Sequence, residues 1–74
     1  MSAPSSGRAS ATAAELSAAV EAIGGYRRRV GDLAGPHLGS EREDLVAAIH
    51  EGERALRSAE RVLQRALKLA SGER

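Results

Sequence analysis

Between Leu45 and Ala70 the chain places apolar or small residues at Leu45, Ile49, Gly52, Leu56, Ala59, Leu63, Ala66 and Ala70, in unbroken steps of four and three. That rhythm fits one face of an α-helix and not the alternation in twos of a strand. Ala48, Ala55, Val62 and Leu69 widen the seam on one side, giving the three-in-seven face of a bundle helix. Ser40-Glu41-Arg42-Glu43 has the spacing of a capping box, and acids crowd the first turn, where the helix dipole favours them. Ser71-Gly72 ends the run. The sequence thus predicts a helix over 41–70, about 45 Å long.

The first half repeats the pattern less cleanly. Leu16, Val20, Ile23, Val30 and Ala34 keep the four–three rhythm, with Arg27 in the remaining seam position. Thr12-Ala13-Ala14-Glu15 reads as a capping box, and Gly35-Pro36 as a stop, which predicts a helix over 13–34. Tyr26 and Leu33 extend its apolar face. The adjacent Gly24 and Gly25 cost about 2 kcal/mol against alanines in a helix interior. We read the helix as continuous through them, because Ser17, Gly24 and Gly31 recur every seven residues as a smooth stripe that another backbone can approach. Residues 1–11, rich in Ser and Ala, are expected to be a flexible tail ahead of a hairpin domain over 12–72.

Short links join antiparallel neighbours, so the six-residue connection 35–40 predicts a helical hairpin. Centring the reversal there sets Leu16 against Ala59, Ile23 against Gly52 and Val30 against Leu45. Charge agrees with the fold-back. Residues 41–53 carry five acids and one Arg, residues 54–68 five bases and one acid, and the first helix runs from Glu15 and Glu21 to Arg27, Arg28 and Arg29. Antiparallel packing brings acidic starts against basic ends on both sides, which selects orientation more than it stabilises.

Two helices from 74 residues make a thin core. The chain has one aromatic residue and no cysteine, so neither bulky side chains nor disulfides supplement it. In the register above, Leu63 to Ala70 overhangs the first helix, which leaves an apolar strip for another chain to cover. The expected fold is therefore all-α, an antiparallel two-helix hairpin that completes a four-helix bundle by dimerisation. Leu56, Val62, Leu63, Leu67 and Leu69 are the expected interface.

No chemistry-bearing constellation competes with that reading. A carboxylate-bridged di-iron bundle needs Glu three residues before an inward His, but Ala47 stands there relative to His50. Glu53 follows His50 by three residues and is within reach of it at the surface, but one His–Glu contact is not a metal site; His37 beside Pro36 reads as a turn residue. No catalytic triad or phosphate loop is legible, so no catalytic residue, cofactor or metal is expected. Arg27-Arg28-Arg29 point about 100° apart around a helix and form no single patch, and Arg27 is expected to snorkel outward from the seam.

Arg54, Arg57, Arg61, Arg65 and Lys68 share the outer face of the second helix and are candidates for contacting phosphates or an acidic partner. A net charge of +1 and the lack of interleaved aromatics weigh against nucleic acid as the main partner. No apolar run reaches the ~20 residues of a membrane span, and residues 1–11 lack the apolar region of a signal peptide, so no membrane partner is expected. A cytoplasmic location is the default. The expected function is a non-catalytic protein–protein interaction module, homodimeric or docked on a larger protein. The alternatives are a small nucleic-acid-associated protein using the basic face, or an exported helical hairpin, although the turn has no Trp-x-Gly.

Overall fold

The computed structural model describes residues 3–72, with side chains described from Gly7. Two long helices, α1 (Ala3–Asp32) and α2 (Glu43–Ala70), lie side by side with a 3-10 turn at Gly35–His37 between them. The assembly measures 63 × 17 × 13 Å, an all-helical hairpin in which the described residues form no strand.

Helix α1 passes through Gly24 and Gly25 without interruption, as expected, but it starts far earlier than the capping pattern suggested. Residues 3–11, expected as a flexible tail, belong to the helix; residues 1 and 2 lie outside the described part. Alanine's high helix propensity favours extension at Ala3, Ala9 and Ala11, and Pro4 falls in the first turn, where its missing N–H costs nothing. The added turns have a partner. Ala9, Ser10 and Ala13 line a shallow groove with Ala70 and Ser71 at the far end of α2. Thr12 therefore lies in the helix interior and caps nothing.

The connection also differs from expectation. After Asp32 the helix tightens, with Leu33 N–H donating to the Val30 carbonyl (3.1 Å) and Ala34 N–H to the Gly31 carbonyl (3.3 Å). The 3-10 turn then continues past the end of α1, and His37, Leu38 and Gly39 lie beside Glu43, Val46 and Ala47 of α2. The left-handed residue is Gly39 (φ 78°), not Gly35, so the chain reverses over Gly39–Arg42. Ser40 closes this turn and caps no helix: its hydroxyl donates to the His37 carbonyl (2.6 Å) and accepts from Arg42 N–H (3.1 Å). At the start of α2, Asp44 accepts from its neighbour Leu45 N–H (2.7 Å), and Glu43 and Asp44 supply the first-turn negative charge. Gly72 (φ 80°) ends α2 as expected.

Moving the reversal toward Gly39–Arg42 slides α2 along α1 by more than a turn. Gly24 now meets Glu60, and Gly31 meets Glu53. The overhang expected for Leu63–Ala70 is absent, because the N-terminal turns of α1 run beside it. The seams themselves are those read from the sequence. Leu16, Val20, Ile23 and Val30 face Leu45, Ile49, Leu56, Ala59, Leu63, Ala66 and Ala70, all half-buried. Full burial is nearly lacking: Ala34, at 2% exposure, is the one buried hydrophobic residue described.

Candidate interaction surface

Each helix borders its seam with two flanks, because positions seven apart return to nearly the same direction. On α1, Ser17, Gly24 and Gly31 form one flank, and Ala19, Tyr26 and Leu33 the other. On α2, Val46, Glu53, Glu60 and Leu67 form one flank, and Ala48, Ala55, Val62 and Leu69 the other. A methyl placed on Gly24 would stand 3.1 Å from a Glu60 carboxylate oxygen, and one on Gly31 2.9 Å from Glu53. The glycine flank of α1 and the glutamate flank of α2 thus share one face of the hairpin, and the remaining flanks share the opposite face.

The first face is polar and knit together. Arg27 Nε donates to Glu60 Oε1 at 2.8 Å, with both side chains about four-fifths buried. Arg27 does not reach out to solvent as expected. The absence of a side chain at Gly24 leaves room for the Glu60 carboxylate beside the seam, where Arg27 can pair with it. One turn nearer the loop, Glu53 lies over Gly31 between His50 Nδ1 (3.6 Å) and Arg57 Nη2 (3.4 Å). The surface meeting of His50 and Glu53 is as read from their spacing. Both glutamates are acids that the apolar pattern passed over, and their signal was a seven-residue spacing equal to that of Gly24 and Gly31.

The opposite face is apolar and uncovered. Tyr26, Leu33, Val62 and Leu69 are 53–68% exposed, and four of the five large hydrophobic residues with high exposure lie here; Leu38 of the turn is the fifth. Arg29 stacks its guanidinium over the Tyr26 ring, 4.6 Å from the centroid.

The five residues expected at the interface divide between these environments. Val62 and Leu69 are on the uncovered face, whereas Leu56, Leu63 and Leu67 are half-buried. Leu56 and Leu63 sit in the seam, and Leu67 borders it on the glutamate flank. Tyr26 and Leu33 join Val62 and Leu69, a grouping that required the register of the two helices. Among the basic candidates, Arg57 is engaged by Glu53, and Arg61 reaches Ser58 Oγ at 3.5 Å. Arg61, Arg65 and Lys68 line a shallow hollow with Gln64, Leu67 and Ser71, while Arg54 lies apart from it. Among the described residues no three His, Cys, Asp or Glu side chains gather as a metal site would require, and no helix is long and apolar enough to cross a membrane.

Comparison with known proteins returns no match to a family model, a curated protein or a solved structure, so the surface must be read from its own geometry.

Proposed function

We propose that this chain is a non-catalytic helical interaction module that works by association, two copies burying their apolar faces against each other to complete a four-helix bundle. The observation that carries this reading is the missing core. The chain exposes 5632 Å², whereas a compact folded protein of 7.7 kDa exposes about 4300 Å². The excess, about 1300 Å², is of the size that one partner contributes to a stable interface, about 800 Å² or more. Its radius of gyration, 17.2 Å against about 11 Å for a compact domain of this length, has the same cause: one layer of helices where two would enclose a core.

Linkage between folding and association gives the test. Thermal unfolding followed by circular dichroism should show a midpoint that rises with protein concentration, because a dimer is favoured by mass action. A midpoint constant across about a hundredfold range of concentration would refute the proposal.

A second reading uses the hollow between Arg61, Arg65 and Lys68 for an anionic partner such as nucleic acid, since three cations converge there. Counterion release would make that binding fall steeply with salt. Absence of binding to duplex or single-stranded nucleic acid at low ionic strength would remove it.

A further inference from the structure

Resting on the second reading of the basic hollow, we infer that the site extends beyond it: Arg54, Arg57, Arg61, Arg65 and Lys68 form one track along α2 for the phosphate backbone of a nucleic-acid duplex, bound without regard to sequence. At 3.6 residues per turn the five cations fall within an arc of about 80° along about 21 Å of helix. All five are exposed, and the other positions on that arc over the same length are Ser58 and Gln64.

The placement works against the helix that carries it. The cations follow one another in steps of three, four, four and three residues, the spacing at which like charges destabilise a helix. Arg61, Arg65 and Lys68 have no acidic residue three or four positions away on either side. Among the described residues no carboxylate comes within 4.0 Å of Arg54, Arg61, Arg65 or Lys68; Arg57 alone is engaged, by Glu53 at 3.4 Å. The one acid within residues 54–68 is Glu60, which lies over Gly24 and is taken by Arg27. The helix dipole accounts for Lys68 in the last turn but does not reach the four arginines before it. An anionic partner accounts for a row of cations that local stability disfavours.

The chemistry of the strip selects the partner. Protein interfaces gather around apolar or aromatic anchors, and this strip offers none, because Leu67 beside the hollow is already half-buried. Phosphate contacts need charge alone. The chain's one aromatic residue, Tyr26, is on α1, so no base can stack on the strip, which favours a duplex over a single strand. The net charge of +1 does not cancel the local field, because five acids are gathered over residues 41–53, toward the other end of α2. The strip is centred about 100° from the flank of Val62 and Leu69, so a second copy covering that flank leaves it open.

Fluorescence anisotropy of a short labelled DNA duplex tests the track. The chain should bind at low ionic strength, with log Kd rising against log salt at a slope of about 4 to 5, from 0.9 per phosphate contact. A duplex of shuffled sequence should bind within about twofold of the first. Duplex RNA of the same sequence, run in parallel, shows which backbone is preferred; binding of either supports the track. Arg54→Gln with Arg57→Gln, outside the hollow, and Arg61→Gln with Arg65→Gln, inside it, should each lower the slope by about 2 and weaken binding about tenfold. The second pair should melt no lower than the wild type, because it relieves like-charge repulsion, whereas a purely structural role predicts a loss. A slope unchanged by Arg54→Gln with Arg57→Gln overturns the track and leaves the hollow standing. A single strand bound more tightly than the duplex overturns it too, and displacement by polyglutamate at equal charge concentration would assign the strip to an acidic protein instead. If no nucleic acid binds at low ionic strength, the second reading itself falls.

Discussion

The two faces of this hairpin solve the same problem in different ways. On the glycine face, removing side chains from α1 at positions 24 and 31 lets two glutamates of α2 fold over it, and Arg27 holds one of them at 2.8 Å. That face is finished within one chain. On the opposite face, Tyr26, Leu33, Val62 and Leu69 stay more than half exposed, with Arg29 stacked on the Tyr26 ring. Polar groups tie the two helices together on one face, whereas the apolar groups of the other face supply the burial that the proposed second layer would collect. The contrast separates the determinants of the hairpin from those of the proposed assembly, so the two can be broken one at a time.

The largest effect should come from charging the uncovered face. Val62→Glu combined with Leu69→Glu removes two large contacts per chain and should weaken self-association by about a hundredfold or more, measured by light scattering behind a sizing column. The same change at Leu56 and Leu63 should instead damage the hairpin itself, because those side chains are in the seam; loss of the helical signal in far-ultraviolet circular dichroism would register it.

Next in size is the inner ion pair. Glu60→Ala leaves Arg27 about four-fifths buried without its acceptor and should lower stability by about 2 kcal/mol in urea melts. Glu53→Ala, whose partners His50 and Arg57 are half exposed, should cost no more than about 0.5 kcal/mol. Equal losses at the two sites would erase the distinction between a pair held at the seam and one held in solvent.

The adjacent glycines sharpen the same comparison from the α1 side. A methyl at Gly25 meets nothing within 4 Å, so Gly25→Ala should stabilise the helix by about 1 kcal/mol through propensity alone. At Gly24 the methyl would press on the carboxylate that Arg27 holds, so Gly24→Ala should gain less than Gly25→Ala or nothing. Thermal midpoints of the two variants, compared at one protein concentration, check the difference.

The periodicity of the sequence was enough to read both seams, the continuous α1 and the antiparallel hairpin, because burial on one side leaves a direct imprint on which positions are apolar. Register was not legible. It depends on where the chain reverses, and Gly35-Pro36 is a stronger stop signal on paper than Gly39, which takes the left-handed conformation. The N-terminal turns were hidden for a related reason: Thr12-Ala13-Ala14-Glu15 has the letters of a cap, but residues 3–11 gain a partner in the end of α2 that local patterns do not record. The division of Leu56, Leu63 and Leu67 from Val62 and Leu69 follows from register as well. An uncovered apolar flank and a hairpin seam look alike until the glycines and glutamates show which sides of the two helices meet.

Sedimentation equilibrium on the full chain at micromolar concentration tests the central claim most directly. A second layer of helices predicts a mass approaching twice the 7.7 kDa of the chain, falling toward the single-chain value when Val62 and Leu69 are replaced by glutamate. A single-chain mass at every concentration, together with cooperative unfolding, would contradict it.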